Sequence, residues 1–180
     1  MKITPTALPD VLILEPRIFE DSRGFFFEAF NRRTWASAGI DSEFVQDNQS
    51  SSKKNVLRGL HYQIRQPQGK LVRAIRGEIF DVAVDIRRSS RTFGKSIHVL
   101  LSADNRKMLW IPAGFAHGFL VLSDSAEVLY KTTDFYAPEH ERTLLWNDPQ
   151  LTISWPSTAQ PVLSDKDRRG LTLDRAELFD

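Results

Sequence analysis

The sequence predicts an all-β fold, an antiparallel sandwich or barrel with a few short helices, on three observations. One segment alternates with the period of a strand, short apolar runs recur between glycine and proline breakers, and almost no stretch carries a helical pattern.

The alternation lies at Ile79–Arg87, where Phe80, Val82, Val84 and Ile86 interleave with Asp81, Ala83, Asp85 and Arg87, as a half-buried strand would. Lys70–Ile75 before it also reads as extended, so the two predict a hairpin turning at Gly77. Further strands are expected at Val11–Leu14, Gly24–Phe30, Val56–Tyr62, Ser96–Leu101, Lys107–Ile111, Gly118–Leu122 and Glu127–Thr133. Pro16, Gly69, Gly77, Gly94, Pro112, Gly114 and Pro138 punctuate them. Two short helices are predicted, Arg32–Ala38 ending at Gly39 and Asp174–Phe179 near the C-terminus. No repeat or linker divides the chain, so residues 1–180 are expected to form one domain.

Composition removes several classes of function. The 180 residues hold no cysteine, which excludes thiolate nucleophiles and iron–sulfur clusters. Apolar residues make up 41%, enough for a core and too many for a disordered chain. The longest apolar runs, such as Val11–Leu14 and Phe119–Leu122, fall far short of the ~20 residues a spanning helix needs. Met1–Pro9 lacks the pattern of a secretory leader, and a cytoplasmic protein is expected. A net charge of +1 argues against a nucleic-acid partner, although 16 basic residues fall within 1–95 and could supply a local phosphate site.

Two segments imitate known motifs without completing them. Gly94-Lys95-Ser96 resembles the end of a phosphate-binding P-loop, but Ser89 stands where its first glycine belongs and a strand pattern follows. No Gly-x-Ser-x-Gly elbow exists for a hydrolase serine.

Chemistry gathers instead around two histidines. Val56–Gln63 brings Arg58 and His61 close to a glycine, with Gly69-Lys70 shortly after, so three polar groups are expected around one loop. A neutral imidazole with a pKa of ~6.5 suits a general base; the same His61 also reads as a hydrogen-bonded structural residue. In Trp110–Phe119 a turn built on proline and glycine delivers His117 to the start of an apolar strand. The pair of segments resembles a cupin, a small jelly-roll barrel. Metal-binding cupins carry His-x-His and a following Glu; here Gln63 replaces the second His, and Pro67 and Gln68 occupy the Glu positions. No metal or other cofactor is expected.

Seven blocks then make the resemblance specific. They are Phe-Glu-Asp-Ser-Arg-Gly-Phe-Phe-Phe-Glu (19–28), Phe-Val-Gln-Asp-Asn (44–48), Leu-Arg-Gly-Leu-His-Tyr-Gln (57–63), Gly-Lys-Leu-Val-Arg (69–73), Phe-Asp-Val-Ala-Val-Asp-Ile-Arg (80–87), Trp-Ile-Pro-Ala-Gly-Phe-Ala-His-Gly-Phe (110–119) and Tyr-Lys-Thr-Thr-Asp-Phe-Tyr-Ala-Pro (130–138). In this order they resemble the dTDP-4-dehydrorhamnose 3,5-epimerase family across nearly the whole chain.

That resemblance implies inversion of C3 and C5 in a 6-deoxy-4-ketohexose carried on dTDP, a step toward dTDP-L-rhamnose. Both carbons flank the C4 ketone, so removing either proton gives an enolate; a base, an oxyanion stabiliser and an acid on the opposite face are required. By matching position His61 is implied as base, Tyr130 as the acid at C5, and Lys70 as the partner of the C4 oxygen. Leu163–Asp167 resembles the family's Leu-Ser-x-Lys-Asp element, which implies Asp167 as the carboxylate behind His61; alone, Asp167 reads equally as a helix cap or surface group. Tyr136 is implied to stack on thymine, with Glu28, Gln46 and Asn48 on polar groups of the nucleotide and Arg23 and Arg58 on phosphate. His117, Glu141 and Lys166 complete the implied contacts; Glu141 stands where some members carry Asp. The family is homodimeric and exchanges N-terminal strands, so Arg23 and Glu28 are candidates for a neighbouring subunit's site. An epimerase acting at C3 only, a ketoisomerase, a non-catalytic nucleotide-sugar binder and a metal-dependent oxygenase remain alternatives, the last disfavoured by Gln63.

Overall fold

A computed structural model describes residues 1–37, 39–156 and 160–180. In chain order the strands are β1 (Lys2–Pro5), β2 (Leu12–Glu15), β3 (Phe19–Asp21), β4 (Gly24–Phe26), β5 (Gln46–Lys53), β6 (Leu57–Gln63) and β7 (Lys70–Arg76). They continue with β8 (Glu78–Asp85), β9 (Ser96–Ser102), β10 (Met108–Ile111), β11 (Phe115–Val121), β12 (Ser125–Thr132) and β13 (Glu141–Thr143). Among the described residues helix is confined to α1 (Arg32–Ala36), α2 (Asp165–Arg168) and a single 3-10 turn at Pro138–His140.

Two antiparallel sheets face each other. One runs β1-β2-β10-β7-β12-β5 and the other β13-β6-β11-β8-β9, a jelly-roll arrangement that agrees with the predicted fold class. Alternate residues point between them: Val72 and Ala74 of β7, Leu109 and Ile111 of β10 and Val128 of β12 meet Ile79 and Ala83 of β8 and Phe115 and Phe119 of β11. Each of the buried Val, Leu, Ile and Phe side chains contributes about 1.5–3 kcal/mol. Polar groups share the same faces: Lys70 of β7, Tyr130 of β12 and His117, set between Phe115 and Phe119 on β11, also point between the sheets, and there they line a cavity.

The predicted hairpin at Gly77 does not form, because β7 and β8 belong to opposite sheets. The chain crosses from one to the other at that glycine, where φ is +69° and an added Cβ would lie 2.1 Å from the Ser125 carbonyl oxygen. Nor is β8 half-buried. Phe80, Val82, Val84 and Ile86 pack beneath a covering segment that includes Leu144, Leu151, Leu173 and Leu178, while Asp81 and Asp85 on the opposite face are fully buried.

The covering segment accounts for another difference. Asp174–Phe179 is a turn followed by extended chain rather than a helix: the Arg175 and Ala176 N–H groups donate to the Thr172 carbonyl, and Phe179 forms a parallel bridge with Arg87. Docking Leu173, Ala176 and Leu178 on the sheet outweighs local helical preference. The other outer face is closed by α1, whose Asn31 cap accepts from the Arg33 and Thr34 N–H groups and whose Trp35 is fully buried beside Leu71 and Trp110. Arg32–Ala36 agrees with the predicted helix; Ala38, its expected last residue, lies outside the described residues.

Candidate active site

The cavity encloses about 340 Å³. Its walls are chemically distinct because each comes from a different sheet. From β6 and β11 come Arg58, His61, Gln63, His117 and Phe119; from β5, β7 and β12 come Gln46, Asn48, Ser50, Lys70 and Tyr130; Tyr136, Glu141 and Lys166 close the rim.

Arg58 and His61 share this cavity through a local irregularity. At period two, residues three apart would point to opposite faces. The β6–β11 register shifts, however, pairing Arg58 with Phe119 and His61 with His117, so Gly59 and Leu60 stand against Gly118 alone. This is a β-bulge, and it turns both side chains the same way. Two glycines make it fit. A Cβ at Gly59 would sit 2.6 Å from the Gly118 Cα, and one at Gly118 would sit 2.6 Å from the Arg58 carbonyl oxygen. His61 therefore lies within a strand, in agreement with the strand expected at Val56–Tyr62.

His61 Nε2 is 2.6 Å from an Asp167 carboxylate oxygen. Asp167 belongs to α2, where Ser164 is the cap: the Ser164 hydroxyl accepts from the Asp167 N–H at 3.1 Å and donates to the carboxylate at 2.7 Å. Burial raises the Asp167 carboxyl, but hydrogen bonds from His61, Ser164 and the Gly59 N–H outweigh it and hold the group below the ordinary carboxylate range. Burial also lowers the His61 imidazole, with Lys166 and Lys70 acting in the same direction against Asp167. Burial thus favours the neutral ring, and with Nε2–H donating to Asp167 the lone pair stands on Nδ1.

Lys70 is buried, and its ammonium donates to the His61 carbonyl at 3.2 Å. Burial lowers its pKa to about 8, although Glu141 and Asp81 favour the cation. His117 contacts both Asp81 carboxylate oxygens at 3.0 Å. Burial pushes Asp81 up, and His117 and Lys70 oppose that shift. Tyr130 faces His61 from the other sheet; burial raises its phenol while Arg58 pulls it down. At the rim Glu141 accepts from Tyr136 at 3.0 Å and from Lys166 at 2.8 Å.

The sequence profile described as dTDP-4-dehydrorhamnose 3,5-epimerase matches residues 5–175. The chain belongs to this family. A dTDP-4-dehydrorhamnose 3,5-epimerase of Pseudomonas aeruginosa is 61% identical over 180 residues, covering 99% of each chain, and one of Escherichia coli is 57% identical over 176 residues, covering 97% of this chain and 95% of the other. The crystal structure of a Legionella pneumophila 3,5-epimerase in complex with dTDP-4-keto-L-rhamnose superposes with a TM-score of 0.96 at 50% identity, covering 98% of this chain and 94% of that one. A 3'-monoepimerase of Streptomyces bikiniensis in complex with dTDP-quinovose has a TM-score of 0.89 at 35% identity, covering 94% and 87%. The protein is a carbohydrate epimerase, and hence an isomerase.

Of the residues that the epimerase resemblance singles out, His61, Tyr130, Lys70, Gln46, Asn48, Arg58, His117, Tyr136, Glu141 and Lys166 line one cavity, and Asp167 stands behind His61. Arg23 and Glu28 do not join them. Arg23 pairs with Asp21 at 2.6 Å on the exposed β3–β4 hairpin, and Glu28 accepts from Asn31. Three further groups escape the sequence reading. Asp81 reads only as the polar phase of a strand, although a carboxylate inside an apolar run signals a buried partner. Ser50 presents a buried hydroxyl, without a hydrogen-bond partner among the described residues, on the cavity wall. Gln63 reads only as a missing metal ligand. Among the described residues no three His, Asp or Glu gather as a metal site, and no helix is long and apolar enough to cross a membrane.

Proposed function

We propose that this epimerase inverts C3 and C5 of a dTDP-linked 6-deoxy-4-ketohexose with His61 as base and Tyr130 as acid. The observation that carries the assignment is that His61 and Tyr130 project into one cavity from facing sheets, with Lys70 on the wall beside Tyr130. Inversion requires proton removal on one face of the sugar and return on the other, and facing sheets meet that demand.

His61 Nδ1 takes the proton alpha to the ketone, and the C–H electron pair moves into the enolate as negative charge grows on the C4 oxygen. The Lys70 ammonium hydrogen-bonds that oxygen. At C5 the Tyr130 hydroxyl returns a proton from the opposite side, leaving a phenolate stabilised by the nearby Arg58 charge; at C3 a solvent water returns it, and between the two inversions the imidazolium gives its proton to solvent and the phenolate takes one back. Asp167 holds the imidazolium formed on His61. Arg58 receives phosphate, Tyr136 stacks on the base, Gln46 and Asn48 meet polar groups of the nucleotide, and His117, Glu141 and Lys166 border the substrate.

The active unit is a homodimer in this reading. Phe19, Phe25 and Phe26 are 51%, 56% and 70% exposed on the β3–β4 hairpin, which also carries Arg23, with Glu28 just beyond. Seating that hairpin on a second copy would bury the rings and bring Arg23 and Glu28 to the neighbour's nucleotide. The doubly charged diphosphate cannot cross a bilayer unaided, which supports a cytoplasmic site of action.

The second reading is inversion at C3 alone, supported by the likeness to the 3'-monoepimerase, whose fold is nearly the same. NMR of dTDP-6-deoxy-4-ketoglucose turned over in D2O separates the two. Deuterium at C3 and C5 with an L-rhamno product is expected, and His61→Ala is expected to abolish exchange. Deuterium at C3 alone would assign mono-epimerisation, and no exchange with intact dTDP-sugar binding would remove the catalytic roles.

A further inference from the structure

Tyr136 is 53% exposed and its neighbour Phe135 is 59% exposed, so packing does little to hold this stretch of backbone. Side-chain amides hold it instead. Gln63 uses its amide three ways: Nε2 donates to the Gln66 carbonyl at 2.7 Å and to the Phe135 carbonyl at 3.1 Å, and Oε1 accepts from the Ala137 N–H at 2.9 Å. The peptide groups on either side of Tyr136 are thereby fixed to the end of β6, two residues from His61. Gln46 accepts from the Tyr136 N–H itself at 3.0 Å.

Gln63 is 3% exposed and has both N–H donors engaged. A primary amide suits this role because its two donors and one acceptor lie in one plane and can bridge two carbonyls and one N–H, which imidazole cannot do. At the position where metal-binding cupins carry a ligand, this chain carries a brace.

We infer that Gln63 is a positioning residue for the nucleotide end of the substrate, holding the Tyr136 ring in register with the catalytic wall. The inference rests on the reading of Tyr136 as the surface on which the base stacks. It makes nucleotide affinity, rather than proton transfer, the property that depends on Gln63.

The deciding variant is Gln63→Met, which keeps side-chain volume and removes all three hydrogen bonds. Three quantities are measured: dTDP affinity by calorimetry, inhibition by inorganic pyrophosphate, and steady-state turnover of the dTDP-ketosugar. Stacking is worth enough that its misalignment should weaken dTDP binding and raise KM about tenfold. Inhibition by pyrophosphate, which lacks a base, should not change, and kcat should stay within about threefold. Should Gln63→Met fail to fold, the isosteric Gln63→Glu carries the same expectation, since it keeps the acceptor for Ala137 and loses both donors. Wild-type dTDP affinity, an equal loss for dTDP and pyrophosphate, or a fall in kcat at constant KM would each overturn the brace. Tyr136→Ala is the control for the underlying reading. If it leaves dTDP affinity intact, stacking itself is refuted; if it weakens dTDP while Gln63→Met does not, only the role of Gln63 falls.

Discussion

His61 and Asp167, 106 residues apart in sequence, meet at 2.6 Å between Nε2 and a carboxylate oxygen. The contact orients the ring, and in the proposed mechanism it supplies the counter-charge for the imidazolium formed when His61 takes a proton. Asp167→Asn keeps the shape and removes the charge, so kcat should fall about 100-fold or more with little change in KM. Steady-state rates together with wash-in of solvent deuterium would check this; a loss confined to KM would assign Asp167 to binding.

The pH profile should be bell-shaped, with both limbs set by burial. His61 must be neutral to act as a base, and its pKa is lowered, so kcat/KM should be lost only as pH falls below the ordinary histidine value of 6.5. Lys70 must be a cation to stabilise the enolate oxygen, so activity should decline as pH rises through about 8. A plateau extending beyond pH 10 would show that the Lys70 charge is not required.

The bulge at Gly59 ties fold to function. Gly118→Ala would place a methyl group 2.6 Å from the Arg58 carbonyl oxygen, and backbone cannot yield as a side chain can. Overpacking of this kind typically costs about 1–3 kcal/mol, so the melting temperature should drop by several degrees. Because the strain falls between Arg58 and His61, kcat and KM should both worsen in the folded variant. Thermal unfolding and kinetics on the same preparation would test the coupling.

The β3–β4 hairpin should control assembly. Replacing Phe25 and Phe26 with Ser removes apolar surface that a partner would cover, and light scattering should then report monomer in place of dimer. Affinity for dTDP should weaken with it, since Arg23 and Glu28 would no longer reach a neighbouring site. An unchanged dimer with unchanged dTDP affinity would assign the interface elsewhere.

How much of the site is legible depends on the kind of signal each residue carries. His61, Lys70 and Tyr130 lie in motifs whose residue types suit enolate chemistry, and they converge on the cavity. β5 escapes a sequence reading because Gln46, Asn48, Ser50 and Ser52 line its inner face, and a strand that builds a polar cavity wall shows no apolar alternation. Asp167 is ambiguous from its surroundings alone, since Ser164 and two Asp residues look like an ordinary helix start; in the structure Ser164, not Asp167, is the cap, and Asp167 is the group it orients.

By itself the sequence determined the class of fold, from the alternation at Phe80–Ile86 and the glycine and proline spacing, and the family, through motifs spread along the chain. Those signals are local, and side-chain period and residue chemistry carry them. Only the tertiary structure decided that β7 and β8 part into opposite sheets at Gly77, that a bulge turns Arg58 to the same side as His61, and that Asp81 and Gln63 are buried and paired. Those outcomes depend on which surfaces meet. Pairing, burial and register are settled by contacts between residues far apart in the chain, and a local pattern such as the carboxylate in the apolar run at Asp81 signals a partner without naming it.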